Sequence, residues 1–382
     1  MSALANDKLI KISSVIGEVF GNELHKKRQQ SLAFAAMGLL ASESLFLHRM
    51  AEGLVKSRGI KKKHATKQID RLLSNKGISI WDLCDNWVKY IIGVQQTVTV
   101  ALDWSSFFDD EQSMLSLNIV SSKGLSTPLL WKSVENNRIK HNRARYEDQL
   151  LSRFKEALPL GVQVTLLADR GFADQKFLRF LTDELEFNYV IRIKSSTTIT
   201  HNEVTNKALC WLKPNGRVFG LTPAMITLDK YQVMQFIAVH DKGMKAPWFL
   251  VSNMNLKSRQ IIRLYSKRWK IEPYFRDLKD SRYGLGLEHT HIKSCDRRDR
   301  LMLILAISYQ LLIILGQAGE QLGFDKMLKV NTVKTRTHSL FRQGLFYYQF
   351  FFRLTNDEQN VLMNEFNTLL LNKSFWVDLL NE

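Results

Sequence analysis

Three carboxylates stand where metal-assisted chemistry could use them. Asp103 lies in the apolar run Val98-Thr-Val-Ala-Leu-Asp-Trp104, and Asp169 follows the stretch Val162 to Ala168 and heads Asp169-Arg-Gly-Phe172. Both runs have the length and composition of buried strands. A strand end holds a side chain rigidly, and two neighbouring strands can bring two carboxylates to one metal ion. Mg2+ prefers oxygen ligands and keeps several waters, so two or three carboxylates suffice. A pair of such ions serves phosphoryl transfer by activating the attacking oxygen and stabilising the leaving one. The third carboxylate of the set is Glu272. Taken singly, an acid at a strand end is more often a turn former or a helix cap. Asp109, Asp110 and Glu111 fall in an apparent loop and are left out, and Asp174 reads as the N-cap of the next helix.

Glu272 lies on a helix expected over Ser258 to Lys279. At ~100° per residue, Tyr265, Arg268, Glu272, Arg276 and Lys279 fall near one another on one face of that helix. Leu264, Ile271, Phe275 and Leu278 form an apolar stripe beside them. One carboxylate among cations and a tyrosine suits a metal ligand flanked by donors to DNA phosphates. An ordinary amphipathic helix with salt bridges one and two turns apart has the same pattern. Pro273, next to Glu272, is expected to kink or interrupt the helix.

The spacing Tyr-x2-Arg-x3-Glu-x6-Lys, read on Tyr265, Arg268, Glu272 and Lys279 and continuing to Tyr283-Gly-Leu-Gly-Leu287, resembles the signature of the IS-four family of DDE-class insertion-sequence transposases. Asp103-Trp-Ser105 and Asp169-Arg-Gly-Phe172 resemble the two aspartate regions of that family. Ile69-Asp-Arg-Leu-Leu73 resembles a segment of its N-terminal DNA-binding region, so the resemblance runs from about residue 25 to 300. It implies a ribonuclease-H-like fold and a cut-and-paste DNA transposase. Asp103, Asp169 and Glu272 would hold two Mg2+ ions, with Mn2+ able to substitute. A 3′-hydroxyl would be the nucleophile, and excision would pass through a hairpin. Tyr265, Arg268 and Lys279 would contact phosphates at the transposon end, with Arg276 beside them. Trp248 resembles an aromatic that receives a flipped base; a core role for it is equally open. The implied partners are double-stranded DNA, at terminal inverted repeats and target, and a second copy of the chain in a synaptic dimer. Another ribonuclease-H-like metal nuclease, or an inactive DNA-binding derivative of a transposase, is the rival reading.

The elements that must position these residues are legible in outline. Residues 1–92 read as helical, with Leu32, Ala35, Leu39 and Leu40 on one helix and Ile69, Leu72 and Leu73 on another. The second carries Lys67 and Arg71 and follows Lys61-Lys-Lys-His64, a basic face that suits DNA or solvent equally. From Thr97 the order is β-β-β-α-β-α-β, the topology of a ribonuclease-H-like mixed sheet. Ser113 to Val120 and Ser126 to Trp131 are joined through Ser121-Ser-Lys-Gly124. This catalytic unit is expected over 93–318, with a β-rich insertion at about 196–247, and C-terminal helices over 319–382.

Composition agrees. The chain has 382 residues, 45% hydrophobic, and a net charge of +17, which favours a polyanion as partner. Cys84, Cys210 and Cys295 are too scattered for a zinc site or a disulfide framework. The N-terminal residues lack the pattern of a signal peptide, and a cytoplasmic, nucleoid-associated protein is expected. The apolar run Leu301 to Gly316 falls short of the ~20 residues of a membrane span and reads as a core helix. No phosphate-binding glycine loop is present, so nucleotide hydrolysis is not indicated. His289 and His291 lack a second metal-binding motif. Lys293, Arg297, Arg298 and Arg300, and then Lys334, Arg336, His338 and Arg342, are basic clusters that suit DNA or solvent.

Overall fold

A computed structural model describes residues 3–121, 126–280 and 284–371. Tyr283 of the extended signature, and Ser122, Lys123 and Gly124 of the expected turn, lie outside the described residues.

Residues before Thr97 lack strand alternation and form five helices among the described residues: α1 (Ala3–Phe20), α2 (Lys26–Ser42), α3 (Leu47–Arg58), α4 (Lys62–Leu73) and α5 (Ile80–Ile92). Their ends follow local chemistry. Ser79 caps α5 by accepting from the Asp82 N–H, and α3 stops at Gly59, whose φ of 67° suits glycine best. On α4, Ala65, Ile69, Leu72 and Leu73 are buried while Lys61, Lys63, Lys67 and Arg71 are exposed.

The main sheet begins with β1 (Thr97–Phe107), β2 (Gln112–Val120) and β3 (Ser126–Glu135), followed by α6 (Asn136–Ile139) and α7 (Arg143–Ala157). Next come β4 (Gln163–Ala168), α8 (Gln175–Arg179) and β5 (Asn188–Arg192). As expected, Asp174 caps α8, accepting from the Lys176 N–H at 2.7 Å. β1, β2 and β3 form an antiparallel meander, whereas β4 runs parallel to both β1 and β5. This is the ribonuclease-H-like mixed sheet. Every position of β2 is buried, because it lies between two strands with both faces covered.

The β-rich stretch divides between two sheets. It comprises β6 (Thr198–His201), β7 (Val204–Lys207), β8 (Phe219–Leu221), β9 (Ala224–Ile226), β10 (Tyr231–Val233) and β11 (Gln235–Val239), and β12 (Trp248–Ser252) follows it. β6, β7, β9 and β10 make a separate sheet in the order β10-β9-β6-β7. β8 and β11 instead extend the main sheet, which reads β3-β2-β1-β4-β5-β12-β11-β8. The β-rich stretch therefore widens the main sheet as well as forming a second one.

The expected helix over Ser258 to Lys279 is interrupted. α9 (Ser258–Ser266) gives way to a 3-10 turn over Lys267–Lys270, and α10 (Ile271–Lys279) follows. Pro273 falls in the first turn of α10, where a backbone N–H has no partner within the helix in any case. The break comes before the proline rather than at it. The tighter 3-10 turn changes the angular phase, so the continuous face expected from Tyr265 to Lys279 does not form.

The chain ends in α11 (Cys295–Gln321), α12 (Leu340–Phe350) and α13 (Asn356–Leu371). α11 contains the apolar run and is a core helix, packed against β3, α2, α12 and α13. Gly316 and Gly344 let α11 and α12 approach closely. A Cβ on either would collide with a backbone carbonyl, of Leu340 or Leu312 respectively.

In the basic cluster at the start of α11, Lys293 is exposed, Arg297 is partly exposed, and Arg298 and Arg300 are buried. Arg298 is 0% exposed and binds Asp110, Gln112 Oε1 (2.7 Å) and the Ile292 carbonyl (3.2 Å). Arg300 donates to the carbonyls of Leu73 and Ile78 at 2.8 and 2.9 Å. Arg297 pairs with Asp70 at 2.8 Å and also binds Ser74. These arginines satisfy backbone and carboxylate groups that burial would otherwise leave unpaired, joining the N-terminal helices to the sheet. In the later cluster, Arg336 bonds Glu320 (2.7 Å) and Arg342 lies 3.9 Å from Asp277.

Candidate active site

The parallel register of β1 and β4 pairs Leu102 with Ala168. The next residues, Asp103 and Asp169, therefore sit side by side at the same level. Asp169 follows the end of β4, whereas Asp103, expected at a strand end, lies within β1, which runs on to Phe107 and pairs Asp103 with Ser116. Asp103 is further oriented by the backbone N–H of Trp104, which donates to its Oδ1 at 3.0 Å. Asp169 Oδ1 is buried and accepts no hydrogen bond; the nearest cation, Arg192, lies 4.0 Å away.

Arg268 connects these aspartates to the third carboxylate. Only 7% exposed, it lies on the 3-10 turn with Nη2 3.8 Å from Glu272 Oε1. Burial opposes its charge, but Tyr265, Asp169 and Asp103 outweigh that and raise its pKa. Burial also raises the Asp103 carboxyl. Arg268 and the Trp104 N–H work against that rise, whereas Asp169 and Glu272 add to it. Asp103, Asp169 and Glu272 thus share one electrostatic neighbourhood centred on Arg268.

Among the described residues, no three Asp, Glu, His or Cys side chains are gathered tightly enough to hold a metal ion as they stand. Two carboxylates on adjacent strands fit a hard divalent cation, and Asp169 Oδ1 has a lone pair that no protein donor uses. Glu272, with a side chain 52% exposed, points toward Arg268 at 3.8 Å. The two aspartates are the part of the donor set that fits a divalent cation.

The other expected DNA contacts separate by burial. Tyr265 is fully buried, edge-on to Trp248 with ring centroids 5.0 Å apart. Burial pushes its phenol up to about 12, so it stays protonated. Tyr265 thus forms part of the wall behind Arg268, instead of the exposed face that a continuous helix predicts. Lys279 is half-buried and donates to the Ser106 carbonyl at 3.0 Å, with Nζ 4.8 Å from the Phe107 ring centroid. Arg276 is exposed. Trp248 packs against the core and also opens onto a cavity of ≈ 590 Å³, lined by Arg192, Lys245, Ser266 and Trp269 among others.

Trp269 is the residue that sequence reasoning missed. It is 42% exposed, stacks near Trp248 at 6.3 Å with planes 17° apart, and borders the same cavity. An aromatic within the basic run Lys267-Arg-Trp-Lys270 was the available signal. His289 lies 3.6 Å from Asp109, away from the aspartates.

No curated protein matches the chain. The family described as the transposase DDE domain matches residues 121–311, a span that includes Asp169 and Glu272 and begins after Asp103. Since that span is half of the chain, the protein belongs to the transposase family that carries the DDE domain, enzymes whose substrate is DNA.

Proposed function

We propose that the protein excises and inserts a DNA element by cutting and pasting, and that Asp103, Asp169 and Glu272 are its metal-binding carboxylates. The observation that carries this reading is the convergence of two aspartates from adjacent strands and Glu272 around the buried Arg268. Two bound Mg2+ ions, or Mn2+ in their place, would supply Lewis-acid assistance to both oxygens of an in-line phosphoryl transfer. Asp103 and Asp169 provide rigid oxygen ligands, and Glu272 closes the set. As Glu272 turns toward the aspartates, Arg268 is released to face a DNA phosphate. Lys279 and Arg276 extend that cationic surface along α10. Nicking leaves a 3′-hydroxyl, which attacks the opposite strand and yields a hairpin end.

The cavity lined by Trp248 and Trp269 suits a base extruded during that step, because an aromatic face stacks on any base. Arg192 and Lys245, on its wall, can face the neighbouring phosphates. Tyr265 supports Trp248 and Arg268 from behind. The exposed basic face of α4 supports end binding. We assign the chain to the IS-four branch on the Tyr265, Arg268, Glu272 and Lys279 spacing, with a dimer bringing two inverted-repeat ends together. All three carboxylates are present in the sequence, so it does not favour an inactive DNA-binding derivative.

The test is to incubate the purified protein with the inverted-repeat DNA that flanks its own gene, with and without Mg2+. Hairpin-ended excision products that require the metal support the reading. Nicked ends that never close into hairpins would remove the hairpin step. No cleavage in Mg2+ or Mn2+, despite end binding, would overturn the enzymatic assignment.

A further inference from the structure

Behind the aspartates, on the α7 side of the sheet, lies a group of side chains that metal ligation does not use. Glu147 of α7 is 5% exposed, an unusual burial for a carboxylate. Its Oε1 accepts from Trp104 Nε1 at 2.8 Å and from Arg143 Nε at 2.8 Å. The Arg143 guanidinium lies 5.7 Å from the Trp104 ring centroid and 5.2 Å from that of Phe172. It also crosses over Gly171, where a Cβ would meet its Nη2 at 3.2 Å.

Each contact leads to one aspartate. Trp104 follows Asp103, and its backbone N–H holds Asp103 Oδ1. Phe172 and Gly171 belong to the turn after Asp169, and the Phe172 N–H donates to the Asp169 carbonyl at 2.9 Å. Burying Glu147 is costly, and burial raises its pKa; Arg143 and Trp104 offset that cost with directed hydrogen bonds. A buried carboxylate joined to both aspartate segments from one helix sets their relative position.

We infer that Glu147 and Arg143 are positioning residues that hold the Asp103 and Asp169 segments at metal-binding separation through Trp104, Phe172 and Gly171. The inference rests on the proposal that these two aspartates bind the metal. Groups that orient metal ligands typically change affinity by about 10–100-fold when removed, and this bridge acts one residue further out.

The test is Mn2+ binding without DNA, followed by loss of the free-ion electron paramagnetic resonance signal, alongside thermal melting. Glu147→Ala is expected to weaken Mn2+ binding by about tenfold. Arg143→Ala, which removes a partly exposed side chain, is expected to give a smaller loss in the same direction. Glu147→Gln keeps an oxygen acceptor for both donors and is expected to restore binding to within about threefold of wild type. Asp169→Asn is the control. If Asp169→Asn leaves Mn2+ binding unchanged, the carboxylate assignment fails, and this inference with it. If Asp169→Asn abolishes binding while folded Glu147→Ala and Arg143→Ala bind as wild type, the bridge alone is overturned. If Glu147→Ala unfolds, Arg143→Ala and Glu147→Gln decide. Wild-type affinity in the former, or a loss in the latter as large as that of Asp169→Asn, overturns the bridge.

Discussion

Two arginine-rich segments, Arg268 to Lys279 and Arg297 to Arg300, look alike in sequence and do opposite work. At the start of α11 the guanidiniums are directed inward. Arg298 is sealed among Asp110, Gln112 and Phe107, and Arg300 binds two backbone carbonyls of the N-terminal region. At the break between α9 and α10, Arg268 is almost as deeply placed but lies among Asp103, Asp169 and Glu272, none of which it holds in a short hydrogen bond. Arg298 is held by short, directed hydrogen bonds, although its Nη1 has no partner. Arg268 is loosely paired, with Nη2 3.8 Å from Glu272. The two cations differ little in burial; they differ in how directly their carboxylate partners hold them.

Substitutions sharpen this contrast. The largest effect is expected at the carboxylates: Asp103→Ala, Asp169→Ala and Glu272→Ala each remove Mg2+-dependent cleavage while end binding, read by gel shift, stays near wild type. A variant that still cuts would leave the metal set. Arg298→Ala comes next and acts on stability. Breaking a buried pair costs about 3–5 kcal/mol, a large part of the ~5–15 kcal/mol typical of a folded domain. A steep fall in melting temperature is expected, with much of it regained when Asp110→Leu is combined with Arg298→Met. No fall would mean that the network is not structural.

Lys279→Ala is expected to be milder and to act on DNA. End binding should weaken, and the slope of log affinity against log salt should drop by about one unit. An unchanged slope would place Lys279 with the structural cations. The smallest effect belongs to Arg297→Ala. Its partner Asp70 is half-exposed, and such pairs contribute less than about 1 kcal/mol. A loss as large as that of Arg298→Ala would contradict the ranking.

The strands that carry Asp103 and Asp169 were legible because a buried strand needs an unbroken apolar run; β4 ends just before its acid, whereas β1 continues past Asp103 to Phe107, through residues too polar to read as strand. The helix carrying Glu272 was legible as a helix but not in its phase. A 3-10 turn over Lys267–Lys270 leaves no apolar signature, and Pro273 drew attention to the wrong side of the break. The burial of Tyr265 and Arg268 depends on that turn and was hidden with it. Arg298 and Arg300 were misread because their partners lie far away in sequence, beyond any periodicity. Glu147 was missed for the same reason: Trp104 belongs to a strand well before it in the chain.

The most direct test of the central claim, that Asp169 ligates a catalytic metal, is replacement by a softer ligand. Asp169→Cys, compared with Asp169→Ala, would be assayed for cleavage of inverted-repeat DNA in Mg2+ and in Mn2+. A thiolate binds Mg2+ poorly and accepts softer ions more readily. The account predicts that Asp169→Cys is inactive in Mg2+ and partly recovers in Mn2+, while Asp169→Ala is inactive in both. Full activity of Asp169→Cys in Mg2+, or equal recovery of both variants in Mn2+, would contradict it.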